Sequence, residues 1–168
     1  MKRSRGFTLI ELMITLVLAA IILTLAVPGF QDIIRNNRAA TQANELVTAL
    51  GLARSEAVKR GARVSLCPST DQASCTGGAD WSNGWIVFLD TAANDLAAPV
   101  VGGDPIRTWG ALVGNSQLNG PANVRFRPLG DVINAANFQH RIPGCGTGEG
   151  RNIAVNQAGR SLVTRVDC

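Results

Sequence analysis

The sequence predicts an α+β protein in which one long N-terminal α-helix packs on an antiparallel β-sheet head. Three observations indicate this class. Residues 7–30 form an almost unbroken apolar run, and residues 31–60 carry apolar side chains at helical spacing. Residues 61–168 then alternate short strand-like segments with glycine-rich and polar turns.

The apolar run is long enough to cross a membrane. As a helix its 24 residues rise roughly 36 Å, against a hydrocarbon core of roughly 30 Å. Lys2, Arg3 and Arg5 precede it, so we expect the N-terminus to stay cytoplasmic and the rest to be translocated. An ordinary cleaved signal fits poorly, because no Ala-x-Ala site follows the apolar core. A plain membrane anchor is the stronger alternative.

Glu11 argues against a plain anchor. A carboxylate in the hydrocarbon costs about 2.5–3.5 kcal/mol, so it normally has a partner. If the chain is cut after Gly6, the new amine of Phe7 lies four residues before Glu11. That amine, or the amine of a neighbouring copy, can pair with the carboxylate and set a register for assembly. The alternative is that Glu11 sits near the membrane surface and is partly solvated.

The segment Gly6-Phe7-Thr8-Leu9-Ile10-Glu11-Leu12 resembles the class III signal of type IV pilins and type II secretion pseudopilins. The resemblance implies cleavage between Gly6 and Phe7 by a prepilin peptidase, N-methylation of Phe7 and the assembly role of Glu11. Pro28 stands where such subunits carry a helix-bending proline, and a proline there predicts a kink or local melting. The predicted segments are therefore a cleaved leader (1–6), a membrane and filament-core helix (7–30), an amphipathic helix (31–60) and a head (61–168).

The amphipathic helix is expected to end near Arg60, with Gly61 as its C-cap. Beyond it, the strand predictions fall in seven segments. These are 63–67, 84–90, 106–109, 124–127, 138–142, 153–156 and 161–166.

Four cysteines follow the apolar run: Cys67, Cys75, Cys145 and Cys168. An even number in an oxidising compartment suggests two disulfides, for which three pairings are possible. The spacing favours Cys67 with Cys75 and Cys145 with Cys168. A metal site is not expected, since there is no C-x-x-C and His140 is the only histidine. We expect no cofactor.

Several head segments resemble the GspH/FimT branch of the pilin superfamily. They are Val64-Ser65-Leu66-Cys67-Pro68-Ser69, Cys75, Trp81, Gly84-Trp85-Ile86-Val87-Phe88, Ile153-x-Val155, Gly159-Arg160 and Cys168. The resemblance implies a type IV pilin-like fold with one or two small sheets. It also implies a minor pilin or minor pseudopilin, present in few copies at or near a filament tip.

Three functions follow from this resemblance. The first is a minor pilin that helps to initiate a type IV pilus and links tip subunits to the shaft; the second is a minor pseudopilin of a type II secretion system. For both, the expected partners are other major and minor pilins or pseudopilins, the prepilin peptidase and the inner membrane. The expected location is a single-pass inner-membrane protein with a periplasmic head, and later an extracellular filament.

The third function is DNA binding for natural transformation, as in some relatives of this branch. Arg151, Arg160 and Arg165 lie near the C-terminal strands and could converge on phosphates. Related DNA receptors carry Gly-Arg-x-Arg there, whereas residues 159–162 are Gly-Arg-Ser-Leu and lack the second arginine. Without the leader the chain has 13 basic and 12 acidic residues, so solvated surface charges are the favoured interpretation.

An enzyme is not expected, and no catalytic residue is assigned. His140 has no acid–nucleophile constellation around it, and no base is spaced to activate Ser69 or Ser82. Asp90, Asn94 and Asp95 could suggest a calcium loop, but their spacing does not match an EF-hand, and a turn after a strand explains them as well. The three tryptophans, Trp81, Trp85 and Trp109, are expected to pack the core.

Overall fold

The computed structural model describes residues 7–168, with the side chains of residues 25–28 excepted. The predicted leader, with Gly6 at its end, lies outside the described residues. The described chain forms two compact units, one ending at Asn37 and one running from Arg38 to Cys168.

Helix α1 spans Leu9–Arg60, a length of 52 residues. Thr8 caps it: its hydroxyl oxygen accepts the Glu11 N–H at 3.3 Å, and its carbonyl accepts the Leu12 N–H at 3.2 Å. The helix ends at Arg60, and Gly61 after it has a φ of 59°, in the left-handed region that glycine adopts at no steric cost. The helix runs through residue 28 without a break, and the bend at Pro28 remains a prediction.

Eight strands follow the helix. They are β1 (Val64–Pro68), β2 (Trp85–Leu89), β3 (Arg107–Trp109), β4 (Gln117–Asn119), β5 (Val124–Phe126), β6 (Ala136–Arg141), β7 (Gly150–Val155) and β8 (Ser161–Val166). They form two four-stranded antiparallel sheets, with the orders β3-β2-β1-β5 and β4-β6-β7-β8.

The core of the second unit lies between α1 and the sheets. The helix buries small and branched residues at three- and four-residue steps, which lets the aromatic side chains of the strands approach it closely. Trp81 packs edge-on against Phe138 with ring centroids 5.0 Å apart, and Trp85 stacks on Trp109 at 6.1 Å. The buried helix residues of this core are Ala43, Leu46, Ala49, Leu50, Ala53 and Ala57.

The predicted α+β class is confirmed, and each of the seven predicted strand segments overlaps an observed strand. The eighth strand, β4, was not predicted because Gln117-Leu118-Asn119 contains a single apolar residue. It pairs with β6, and only Leu118 points into the core.

The disulfides join Cys67 to Cys75 and Cys145 to Cys168, in agreement with the pairing that the spacing favours. The first closes a short loop between β1 and β2. The second ties the chain just beyond β8 to the loop that precedes β7. Together they fix the two glycine- and polar-rich loops that have little apolar packing of their own.

Candidate functional site

The apolar half of α1 exposes almost all of its large side chains. Within the described residues, α1 holds one segment long and apolar enough to cross a membrane, judged by length and composition, and none of that segment is buried. Soluble surfaces rarely present an apolar patch of this size, so the segment requires lipid or protein around it. Its most exposed side chains include Leu9, Ile10, Leu16, Val17 and Ile22.

The hydroxyl groups in this segment are satisfied by the helix itself. Thr15 donates to the Leu12 carbonyl at 2.8 Å, and Thr24 donates to the Ile21 carbonyl at 2.7 Å. Such back-bonding removes most of the cost of placing a hydroxyl in hydrocarbon. Glu11 is then the one ionisable side chain between Phe7 and Phe30.

Glu11 lies in the first turn of α1, three residues after the Thr8 cap. The pattern Thr8-x-x-Glu11 is the sequence signature of a capping box, and it could have been recognised from the sequence. A carboxylate at this place also interacts favourably with the positive end of the helix dipole. Phe7, which precedes the cap, is 76% exposed. Phe7, whose amine is the predicted partner, and the Glu11 carboxylate therefore lie at the same end of the helix.

The three arginines proposed for DNA contact do not form one exposed cluster. Arg151 points into the core side of the sheet and is 3% exposed; its Nη1 donates to the carbonyls of Gly148, Glu149 and Gly150. This corrects its predicted place at the surface: the guanidinium holds the loop before β7. Successive side chains of a strand point to opposite faces, so sequence position alone does not show which face Arg151 occupies.

Both Arg160, which immediately precedes β8, and Arg165, near the end of β8, are exposed. Five residues of extended chain separate them by roughly 16 Å, and an odd separation places their side chains on opposite faces of the sheet. The structure thus leaves two separate surface cations where the sequence suggested three converging ones.

A buried ion pair that sequence reasoning missed organises the loop between β2 and β3. Arg125 Nε donates to Asp90 Oδ2 at 2.5 Å, and both side chains are almost fully buried. The remaining nitrogens of Arg125 donate to the carbonyls of Asn94, Asp95 and Ala97. No sequence signal marks this pair, since 35 residues separate its members.

The Asp90 carboxylate accepts several further hydrogen bonds, from β1 and from the same loop. It accepts hydrogen bonds from the Ser65 hydroxyl at 2.7 Å and from the N–H groups of Ala92 and Val100. Burial raises the pKa of Asp90, but these hydrogen bonds together with Arg125 bring it below its ordinary value. This use of Asp90 is structural, and within the described residues no cluster of His, Cys, Asp or Glu could hold a metal ion.

His140 is buried in β6, with its Nε2 at 2.8 Å from the Gln42 side-chain oxygen, so the Nε2–H donates. Burial, followed by the charge of the adjacent Arg151, lowers the pKa of His140 to about 4. Gln42 in turn donates to the Val113 carbonyl at 2.9 Å. The histidine therefore joins α1 to the second sheet as a neutral side chain.

An uncovered apolar helix with a carboxylate in its first turn, joined to a disulfide-bonded two-sheet head, is the architecture of a pilin-like filament subunit. The profile of the family described as "Type II transport protein GspH" matches residues 42–159, and that of the prokaryotic N-terminal methylation motif matches residues 1–27. The chain belongs to the GspH family, which confirms the resemblance found in the sequence. Among curated proteins, none matches the sequence significantly.

The chain is similar in structure to two solved proteins. One is the type IV minor pilin FimU of Pseudomonas aeruginosa, with 22% identity, a TM-score of 0.59, and coverage of 76% of this chain and 88% of FimU. The other is the minor pseudopilin EpsH of the type 2 secretion system of Vibrio cholerae, with 15% identity, a TM-score of 0.52, and coverage of 76% and 97%. These similarities establish the pilin-like fold.

Proposed function

We propose that this chain is a minor pilin, a structural subunit that enters a type IV pilus at or near its tip, helps to initiate assembly and links tip subunits to the shaft. The observation that carries the proposal is the uncovered apolar segment of α1 with Glu11 in its first turn. Such a surface has to be covered, first by lipid and then by the equivalent helices of other pilins.

In this proposal the chain first spans the inner membrane with its head in the periplasm. A prepilin peptidase removes residues 1–6 between Gly6 and Phe7 and methylates the new amine of Phe7. The Glu11 carboxylate then pairs with a Phe7 amine, its own or a neighbour's. Because an unpaired carboxylate in hydrocarbon costs about 2.5–3.5 kcal/mol, only helices in the correct register bury both groups at low cost.

A minor pseudopilin of a type II secretion system is the second candidate. The family description and the similarity to EpsH favour it. The similarity to FimU and the two disulfides of the head favour the pilus. DNA binding has less support, since Arg151 is buried and the side chains of Arg160 and Arg165 lie on opposite faces of the sheet.

Deletion of the gene in its native host separates the first two candidates. Loss of surface pili with normal export of secreted enzymes is expected for a minor pilin. Loss of export with normal piliation would overturn the pilus assignment in favour of the secretion system.

The register role of Glu11 is tested by Glu11→Ala and Glu11→Gln in the full chain. Both variants are expected to lose the leader normally, because the cleavage site is intact. Both are expected to enter filaments at least about tenfold less than the wild type, measured as the ratio of filament to membrane protein. Thr15→Ala, on the same exposed helix, is the control. Normal filament entry by the Glu11 variants would contradict the proposal.

A further inference from the structure

Strand β8 is a long free edge. Of the four edge strands in the described part of the chain, β3, β4 and β5 have three residues each, whereas β8 has six. Every residue from Ser161 to Arg165 is exposed. Proteins usually shorten or cover such an edge because its unpaired N–H and C=O groups attract other strands.

The strand is held at both ends, so its edge is preformed. At the start, the Asn156 N–H donates to the Arg160 carbonyl at 3.0 Å and closes the β7–β8 hairpin. Gly159 completes this turn with a φ of 71°, and a Cβ there would lie 2.1 Å from the Gly130 carbonyl oxygen. At the far end, the Cys145–Cys168 disulfide and the bond from the Gly148 N–H to Asp167 fix the chain.

The hairpin bond also shows which backbone groups are free. Directly opposite residues in an antiparallel ladder alternate between hydrogen-bonded and non-hydrogen-bonded pairs. Since Asn156 and Arg160 form a bonded pair, Leu162, Thr164 and Val166 bond to β7. The N–H and C=O groups of Ser161, Val163 and Arg165 therefore point away from the sheet.

The edge carries exposed positive charge. Arg165 lies directly opposite Arg151 across the β7–β8 ladder, and Arg160 immediately precedes β8. Within residues 7–168, neither Arg160 nor Arg165 forms an ion pair with a carboxylate. The edge also exposes Leu162 (64%) and Val163 (37%), which provide apolar contacts on both faces.

We propose that an extended strand of a different neighbouring subunit pairs with β8 in the filament and places a carboxylate side chain opposite Arg165. The proposal rests on the proposed function, because it requires that the chain enters a filament. Main-chain hydrogen bonds to Ser161, Val163 and Arg165 supply the affinity, and the carboxylate supplies the specificity.

A second copy of this chain is a poorer occupant. Residues 161–166 contain no carboxylate, so pairing β8 with itself leaves Arg165 without a counter-charge beside Arg151. The same arginine discourages pairing with a chance apolar strand, since charged residues on the edge are a common protection against aggregation.

Proline substitutions at the outward-facing positions test the backbone pairing. Val163→Pro and Ser161→Pro remove an N–H that β7 does not use, and proline is tolerated at such edge positions. Val163→Ala and Ser161→Ala are matched controls that keep the N–H. In the native host, both proline variants are expected to lose about tenfold in the ratio of filament to membrane protein relative to their alanine controls.

Charge reversal tests the counter-charge. Arg165→Glu is expected to lower filament entry by about tenfold, whereas Arg165→Lys retains it within about twofold. A benzoylphenylalanine at position 162 is expected to cross-link to a peptide of another filament subunit that contains Asp or Glu. A cross-link to this chain's own β8 or to DNA, or no cross-link, would overturn the proposal.

The outcomes also separate this inference from the proposed function. Normal filament entry by the wild type, both proline variants and Arg165→Glu would overturn the edge pairing and leave the filament role intact. Absence of the wild type from filaments would overturn both. Thermal unfolding and intact disulfides show whether each variant is folded. If one proline variant is unfolded, the other proline variant and Arg165→Glu test the edge pairing.

Discussion

At the scale of single residues, Arg125 determines the structure of a whole loop. Its guanidinium serves one carboxylate and three carbonyls, and the loop it holds has few buried apolar side chains of its own. Leu96, at the outer part of this loop, is 93% exposed. The loop is therefore ordered by hydrogen bonds to Arg125 and Asp90, with little help from the hydrophobic core.

We expect Arg125→Ala to lower the free energy of unfolding by about 3–5 kcal/mol, because it leaves the buried Asp90 carboxylate without its counter-charge. Arg63→Ala is the control. Arg63 pairs with Asp95 of the same loop at 3.1 Å, but both side chains are partly exposed, so its loss is expected to cost at most about 1 kcal/mol. Urea unfolding of the full chain in detergent, followed by tryptophan fluorescence, measures both; equal losses would contradict this role of Arg125.

His140 makes the stability of the head depend on pH. Burial and the neighbouring Arg151 lower its pKa to about 4 in the folded chain, against about 6.5 for an unfolded histidine. The unfolded state therefore binds the proton first, and stability is lost as the pH falls from about 6.5 towards 4. Between pH 7 and pH 5 we expect a loss of about 2 kcal/mol.

The variant His140→Gln tests this dependence. Glutamine keeps a hydrogen-bond donor for Gln42 but does not titrate, so the unfolding free energy should become nearly constant between pH 7 and pH 5. Since His140 is the only histidine, an unchanged pH dependence in the variant would assign the effect to other groups.

At the scale of elements, the two disulfides differ in the length of chain that they close. Cys145 and Cys168 are separated by 23 residues, and Cys67 and Cys75 by 8. The chain-entropy estimate gives about 3.4 kcal/mol for the longer loop and about 2.5 kcal/mol for the shorter. The longer one also holds the end of β8.

We therefore expect the double variant Cys145→Ala/Cys168→Ala to be destabilised by about 1 kcal/mol more than Cys67→Ala/Cys75→Ala. Urea unfolding under non-reducing conditions measures the difference. Hydrogen exchange provides a second readout, because β8 amides should lose protection in the first variant alone. Greater destabilisation by loss of the Cys67–Cys75 bond would contradict this account.

The elements differ in how well the sequence alone predicts them. The helix and strands such as β2 were predictable because their apolar periodicity is strong and local. β4 was not, since its one buried residue, Leu118, leaves no periodic pattern. The ion pair of Arg125 and Asp90 and the inward direction of Arg151 depend on strand register, which brings together residues that are distant in sequence.

At the scale of the whole molecule, each of the two units has a surface that its own residues leave uncovered. The first unit exposes an apolar helix with Glu11 in its first turn, and the second exposes the edge of β8. The motif around Gly6 and Phe7 predicted the first from sequence. The second became visible only with the sheet order, because a free edge is a property of the sheet and not of the strand.

The proposed assembly role of Glu11 requires conversion of the chain into its mature form, since the free amine of Phe7 is the partner proposed for Glu11. Intact-mass analysis of the protein extracted from its native membrane tests this most directly. We predict a chain that begins at Phe7, without residues 1–6, and carries one added methyl group. A chain that still contains the first six residues would contradict it and would leave an ordinary single-pass membrane anchor.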